Sequence, residues 1–504
     1  MSFYGLEIAK SALSLSQKGM NLAGQNIANA ATEGYTRQRL NIVSIEPVSL
    51  SGRYLALSVG AVGGGATATS VDQIRSAYID SALRKEYSSQ GQWDTRATEM
   101  KYLESLFDET STSLLSKSFT NFFDSLQELT EDTVSKEIRT NVQQDALTLT
   151  QTLNSYYSQL SDLQSQMNES IKTTVDRINE ISKSIADYNK SIYTYEMTGE
   201  NANDLRDKRN LLLDELSKLV DTQYSEDSDG KLSVSVAGNT IVNHGNYTEL
   251  TAVADQTGVV SGTTGFYRVC IEDADGNLTN VAYTDGSLAG YKQLRDGNTA
   301  DDMGIPYLMD KLNTLARGLA QQFNAVNKAG YTMPHDAEAS VQNINFFKVP
   351  LDGDGDEDYS LITAGNLTLS DEVKNDPYKI AASSDPVNLS ADNTNTGNNE
   401  NALKLAALGT SASAIEGTGF EAYLKNIAVG LGISSAHCSN MLAGEDSLVS
   451  NLENRKEAVS GVSTDEEIIE LMKYQHMYNA ASRIINAIDS ALDKLINETG
   501  MVGR

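Results

Sequence analysis

Few groups in this sequence have the residue types and spacing for chemistry. Asp352-Gly353-Asp354-Gly355-Asp356 sets carboxylates at alternate positions, as in the opening of a loop that wraps a hard divalent cation in oxygen ligands. The later positions depart from that pattern. Glu357 stands where the loop needs its turn glycine and Thr363 where a bidentate Glu closes the sphere, so the stretch reads as an acidic surface turn. Gly63-Gly64-Gly65 suggests a phosphate cradle, but no Lys-Ser or Lys-Thr follows and no G-x-G-x-x-G occurs; it reads as a flexible connector. His244, His335, His437 and His476 are scattered, and H-E-x-x-H, C-x-x-C and G-x-S-x-G are all missing. His437 adjoins Cys438, yet neighbours on a helix point to different faces. The expectation is a protein that is no enzyme and holds no cofactor or metal.

Composition narrows the class further. The 504 residues carry a formal net charge of −29, which excludes a nucleic-acid role because phosphate-backbone binding needs concentrated Lys and Arg. Two cysteines, Cys270 and Cys438, make no disulfide framework and read as free thiols. No run of eighteen apolar residues occurs, so membrane insertion is not expected, and the N-terminus lacks the charged start and apolar core of a secretory signal.

With no reaction centre to position, the clearest pattern lies at the two ends. Leu471, Tyr478, Ile485 and Leu492 recur every seventh residue, with Tyr474, Ala481, Ile488 and Leu495 three places after each. Ser463 or Thr464 suits the start of this helix, Glu466 and Glu467 meet the positive end of its dipole, and Gly500 closes it. Leu6, Leu13, Met20 and Ile27 repeat at the same step near the N-terminus, followed by the small Ala9, Ser16, Ala23 and Ala30. A further apolar row, Ile8, Leu15 and Leu22, runs along another side, so this helix is expected to want more than one neighbour. Residues 1–41 sum to +2 and 465–504 to −3, a weak complementarity. Burying one such Leu or Ile contributes roughly 1.5–3 kcal/mol, whereas an isolated helix of this length is marginal in water. Both ends should therefore order chiefly by association.

The reading of the whole chain is mainly α with inserted β. Residues 1–72 with 465–504 form a coiled-coil-like inner assembly domain. Residues 73–222 with 302–334 and 400–464 form an elongated helical bundle, marked by Leu160, Leu163, Met167, Ile171, Val175 and Ile178 in steps of three and four. Short alternating runs over 223–301 read as an inserted, outer β domain, and 335–399 as an irregular or β insertion. The late helices are expected as separate pieces at Ala402, Tyr423 to Leu442 and Glu445 to Val459. The order helix, insertion, helix would set the β material at the far end of the rod from the termini.

One stretch carries a resemblance. Asn26-Ile27-Ala28-Asn29-Ala30-Ala31-Thr32-Glu33-Gly34-Tyr35 resembles the N-terminal motif of flagellar rod, hook and hook-associated proteins, with Ala-Thr-Glu ahead of the glycine. Gly34 suits a left-handed turn and Asn29 a helix end. The segments Val59 to Glu86, Asn203 to Val220, Leu308 to Tyr331 and Glu466 to Asp489 resemble the FlgK family of hook-associated proteins within that group. The resemblance implies a homo-oligomeric ring at the hook–filament junction, touching the hook protein and a second junction protein, hook-associated protein 3. It further implies an extracellular place in the bacterial flagellum, type III export, and an export chaperone at the C-terminal segment. An enzyme on the same scaffold would need a convergent catalytic set between Gln223 and Asn399, and the sequence offers none.

Overall fold

The computed structural model describes residues 4–45, 63–107, 114–227, 230–256, 265–272, 276–335, 339–389, 394–411 and 415–498. Gly500 and the four residues from Val59 lie outside them. Helix α1 (Tyr4–Ala28) leads into an antiparallel ribbon of β1 (Gln38–Ser44) and β2 (Ala66–Gln73). Gly64 and Gly65 prolong that ladder: the Ile45 amide donates to the Gly65 carbonyl at 2.8 Å and the Gly64 amide to the Ile45 carbonyl at 3.0 Å. They are thus part of the ribbon rather than a loose connector. The ribbon folds back on α1 and buries Leu15, leaving Ile8 and Leu22 half-buried. The second apolar row therefore finds its neighbour within the chain.

The bundle comprises α2 (Ala77–Phe107), α3 (Leu114–Glu131), α4 (Lys136–Glu196), α5 (Asn203–Leu219), α6 (Ser287–Asp296), α7 (Ile305–Ala329), α8 (Asp371–Asn375), α9 (Glu400–Ala407) and α10 (Phe420–Ser460). Helix α4 runs for 61 residues, its Ser135 cap accepting from the Ile138 amide. Its apolar stripe serves two cores. The first gathers Leu149, Leu153, Leu160 and Met167 with α3, α7 and the rings of Phe122, Phe323, Phe346 and Phe347; the second gathers Ile171, Ile178 and Ile185 with α5 and the sheets. Residues 339–389 have little regular structure of their own, yet they pack into the first core. Side chains replace the missing ladder: Asn324 donates to the Phe347 carbonyl at 2.9 Å and accepts from its amide at 2.7 Å. Asn327 holds Ile344 and Ala381 in the same way, and buried Arg139 donates to the Ile380 carbonyl. The Asp352 carboxylate accepts the amides of Asp354 and Asp356 in its own turn.

The strands β3 (Thr222–Glu226), β4 (Leu232–Val236), β5 (Asn239–Asn243) and β6 (Asn246–Tyr247) form one antiparallel sheet, and β7 (Leu250–Ala254), β8 (Tyr267–Glu272) and β9 (Leu278–Asn280) a second. Their position differs from the sequence expectation. Helix α5 doubles back along α4, and β3 returns beside it, so Glu226 pairs with Arg206 and Arg209 while Arg206 pairs with Glu196 at the end of α4. Asn201, just beyond, donates to the Val71 carbonyl of the terminal ribbon. The β material thus flanks the half of the bundle nearer the termini.

Helix α10 is one uninterrupted helix of 41 residues, not two, because the glycines at 430, 432 and 444 keep helical backbone angles. Trp93 and His437 meet edge to face between α2 and α10, with ring centroids 5.7 Å apart. The last helix, α11 (Thr464–Asp493), starts at Ser463, whose side chain accepts from the Glu466 amide, and continues as a π-helical turn, Lys494–Glu498. Among the described residues no helix is long and apolar enough to cross a membrane.

Candidate assembly interface

Helices α1 and α11 pack antiparallel in a single register. Asn26 lies beside Glu467, Gly19 beside Tyr474, and Gly5 beside Ile488. That register sets the small Ala9, Ser16 and Ala23, all buried, at the levels of Ile485, Tyr478 and Leu471, and the larger Leu13 at the level of buried Ala481. At Gly19 the approach is closest: a Cβ there would fall 2.5 Å from the Tyr474 ring. The pair alone does not enclose its seam. Leu6, Leu13, Met20, Ile27, Leu471, Tyr478, Ile485 and Leu492 all remain half-buried, and Ile468, Ile469, Met472, Met477 and Ile484 lie exposed on the outer side of α11.

The N-terminal motif is a buried polar joint at the base of this pair. Gly34 turns the chain at φ +76°, and Leu211 of α5 packs where its side chain would start. Tyr35 then reaches back to donate to the Asn26 side-chain oxygen at 2.8 Å. Asn26, 1% exposed, also accepts the Gln38 amide and donates to the Gln38 carbonyl at 2.9 Å and to Glu467 at 3.0 Å. Every hydrogen-bonding group of that amide is therefore engaged, and the N-terminal helix, ribbon and C-terminal helix meet on one side chain. Ala28 is exposed at the end of α1, and Asn29 donates its side-chain amide to the Gln25 carbonyl.

Glu467 is 4% exposed and accepts Arg37 Nε at 2.7 Å, while Glu466 takes the other side of the same guanidinium. The Thr36 amide and hydroxyl both donate to Asp207 on α5, and Gln73 of β2 adds a third donor at 2.7 Å. Burial pushes the Asp207 carboxyl up against the opposing pull of Thr36. Tyr35 is likewise pushed up, first by burial and then by Asp204, Asp207 and Glu467. Two turns along, Asp214 accepts Arg84 at 2.7 Å and Lys456 at 3.0 Å, tying α5 to α2 and α10. Burial alone would raise this carboxyl; the two cations outweigh it and hold it below the usual carboxylate range.

Sequence reasoning named the apolar rows along α1 and α11 but read Glu467 as a dipole partner and did not assign Asn26, Asp207 or Asp214 their contacts. A signal was present, since segments bearing the resemblance at Asn26, at Asn203 and at Glu466, together with Gln73 and Arg84, are the ones that converge here. A cleft of about 700 Å³ opens beside the joint, between Lys18, Leu22, the ribbon and Tyr195 to Leu205. Among the described residues no group of three or more His, Cys, Asp or Glu is arranged to hold a metal ion.

Comparison with known proteins agrees along the chain. The model of the flagellar hook-associated protein FlgK helical domain matches residues 100–347, and that of the flagellar basal body rod FlgEFG protein C-terminal region matches residues 458–498. Flagellar hook-associated protein 1 of Bacillus subtilis is 29% identical over 527 residues, covering 100% of this chain and 99% of its own. The protein of that name from Escherichia coli is 24% identical, covering 97% and 98%. The structure of the flagellar hook junction protein FlgK from Burkholderia pseudomallei shares the fold at 15% identity, with a TM-score of 0.60 over 75% of this chain and 100% of that one. In the terminal motif, the matched helical domain and the relatives aligned end to end, the chain is similar along its length to the FlgK family of flagellar hook-associated proteins.

Proposed function

We propose that this chain is a structural, non-catalytic subunit of the bacterial flagellum, assembling as a ring at the hook–filament junction. The observation that carries the reading is the end-to-end match to hook-associated protein 1 of two bacteria. The half-open seam between α1 and α11 fits it, because apolar residues left half-exposed in one chain are covered when neighbours pack against them. Leu6, Leu13, Met20, Ile27, Leu471, Tyr478, Ile485 and Leu492 form the assembly face in this reading, with the joint around Asn26 fixing its angle to the bundle. The terminal pair faces inward and the bundle and sheets outward. Its neighbours are further copies of itself, the hook protein and the second junction protein, after type III export with a chaperone on the C-terminal segment.

The test is electron microscopy of cells lacking the protein, with an assay of the medium for unpolymerised flagellin. Intact hooks without filaments, and flagellin lost outside, are expected. Missing hooks would move the subunit to the rod or hook, and normal filaments would sink the junction role.

A further inference from the structure

Helix α10 carries a seam that its own chain leaves open. Between Asn426 and Gly444 it contains no Asp, Glu, Lys or Arg, in a chain of net charge −29. Val429, Ile433, Ala436, Asn440, Ala443 and Ser447 follow one another in alternating steps of four and three, and every one is exposed, Val429 at 52% and Ile433 at 67%. Such spacing describes the contact line for a second helix. The opposite side of α10, with Tyr423, Ile427, Leu431 and Cys438, is already buried in the first core.

The glycines of this stretch give an independent reason. Glycine weakens a helix interior, yet Gly430, Gly432 and Gly444 all lie within α10. Intrachain packing does not require them. A Cβ at Gly430 would come no closer than 3.8 Å to another atom, one at Gly432 no closer than 3.7 Å, and one at Gly444 would meet nothing within 4 Å. Small residues on an exposed helix face admit close approach from outside.

The chemistry of the seam selects its partner. The outward side of α4 is charged along its length, with Asp162, Glu169, Asp176 and Asp187 interleaved with Lys172, Arg177 and Lys183, and copies of a chain of net charge −29 repel one another. An uncharged seam lets two copies touch without burying a charge. Further along, Val459 of α10 and Ile468, Ile469 and Met472 of α11 are exposed as well. Resting on the ring assembly proposed above, we infer that the α10 seam docks a helix of a neighbouring copy of this chain. A ring is built from two different faces, so that helix belongs to another surface of the neighbour than its own α10 seam.

The experiment replaces Ala436 with a photo-crosslinking amino acid, incorporated during synthesis of the full chain, in flagella from cells lacking the wild-type protein. Mass spectrometry is expected to find the labelled position joined to a different helix of a second copy. A cross-link to another protein, or none from a chain present in the flagella, would overturn the seam and leave the junction reading intact. Absence of the wild-type chain from the flagella of parent cells would overturn that reading as well.

A paired variant reports without a cross-link. Ile433→Glu should leave the purified chain with wild-type circular dichroism and melting while incorporation falls at least tenfold; wild-type incorporation would overturn the inference. Gly432→Ala with Gly444→Ala should raise the melting midpoint by roughly 2 °C yet reduce incorporation, a combination that a purely internal role for these glycines does not produce.

Discussion

The Asn26 side-chain amide donates to a Glu467 carboxylate oxygen at 3.0 Å, across 441 residues of chain. That contact, with those of Arg37 to Glu466 and Glu467, holds the elements at either end to a common base. Asn26→Ala would strand the Tyr35 hydroxyl, the Gln38 amide and one Glu467 oxygen in a buried site, at a cost of about 1–3 kcal/mol. Limited proteolysis should release the α1 segment faster while the bundle stays resistant. Unchanged cleavage would remove Asn26 from this role.

The seam itself is tested by Ile485→Asp. A carboxylate placed between helices resists desolvation, so incorporation into hook tips should be lost. The bundle, whose cores do not include this residue, should keep its circular dichroism. Normal incorporation would sink the assignment of this face.

Close packing at one glycine makes a sharper test. Gly19→Leu would drive a side chain into the Tyr474 ring, forcing α1 and α11 apart at a cost of about 1–3 kcal/mol. The paired change Gly19→Leu with Tyr474→Ala should recover part of that loss in urea unfolding. Equal loss in both variants would mean that the two residues do not meet.

The Asp214 carboxylate predicts a dependence on acid. Its folded-state pKa is depressed, so its stabilisation is present above the ordinary Asp value of about 3.9 and is lost as pH falls through the folded one. Asp214→Asn lacks that contribution at every pH. In urea titrations the gap between variant and wild type should be widest near neutrality and shrink below about pH 4. A gap that does not vary with pH would point to packing rather than charge.

How much of this was legible in the sequence depended on range. The rows of Leu471, Tyr478, Ile485 and Leu492 and of Leu6, Leu13, Met20 and Ile27 announce themselves because a helical face repeats within a few residues. Gly34 does so through its turn chemistry. Asp207 and Glu467 look locally like any solvated carboxylates, and only the partners brought in from Thr36 and Arg37 make them buried acceptors. Residues 339–389 looked like an insertion since they lack periodicity, but their backbone is held by Asn324 and Asn327 on a helix that precedes them. The split expected between Leu442 and Glu445 does not occur, because packing on α2 carries α10 through Gly444.

Helix α4 spans about 90 Å at the usual rise, and it belongs to both cores. Its stripe passes from Met167 in the first core to Ile171 in the second without a break in the backbone hydrogen bonds. A twist applied near the terminal joint is thus delivered to the ring cluster of Phe122 and Phe323 by one continuous shaft. The body of the subunit should therefore turn as a rigid lever.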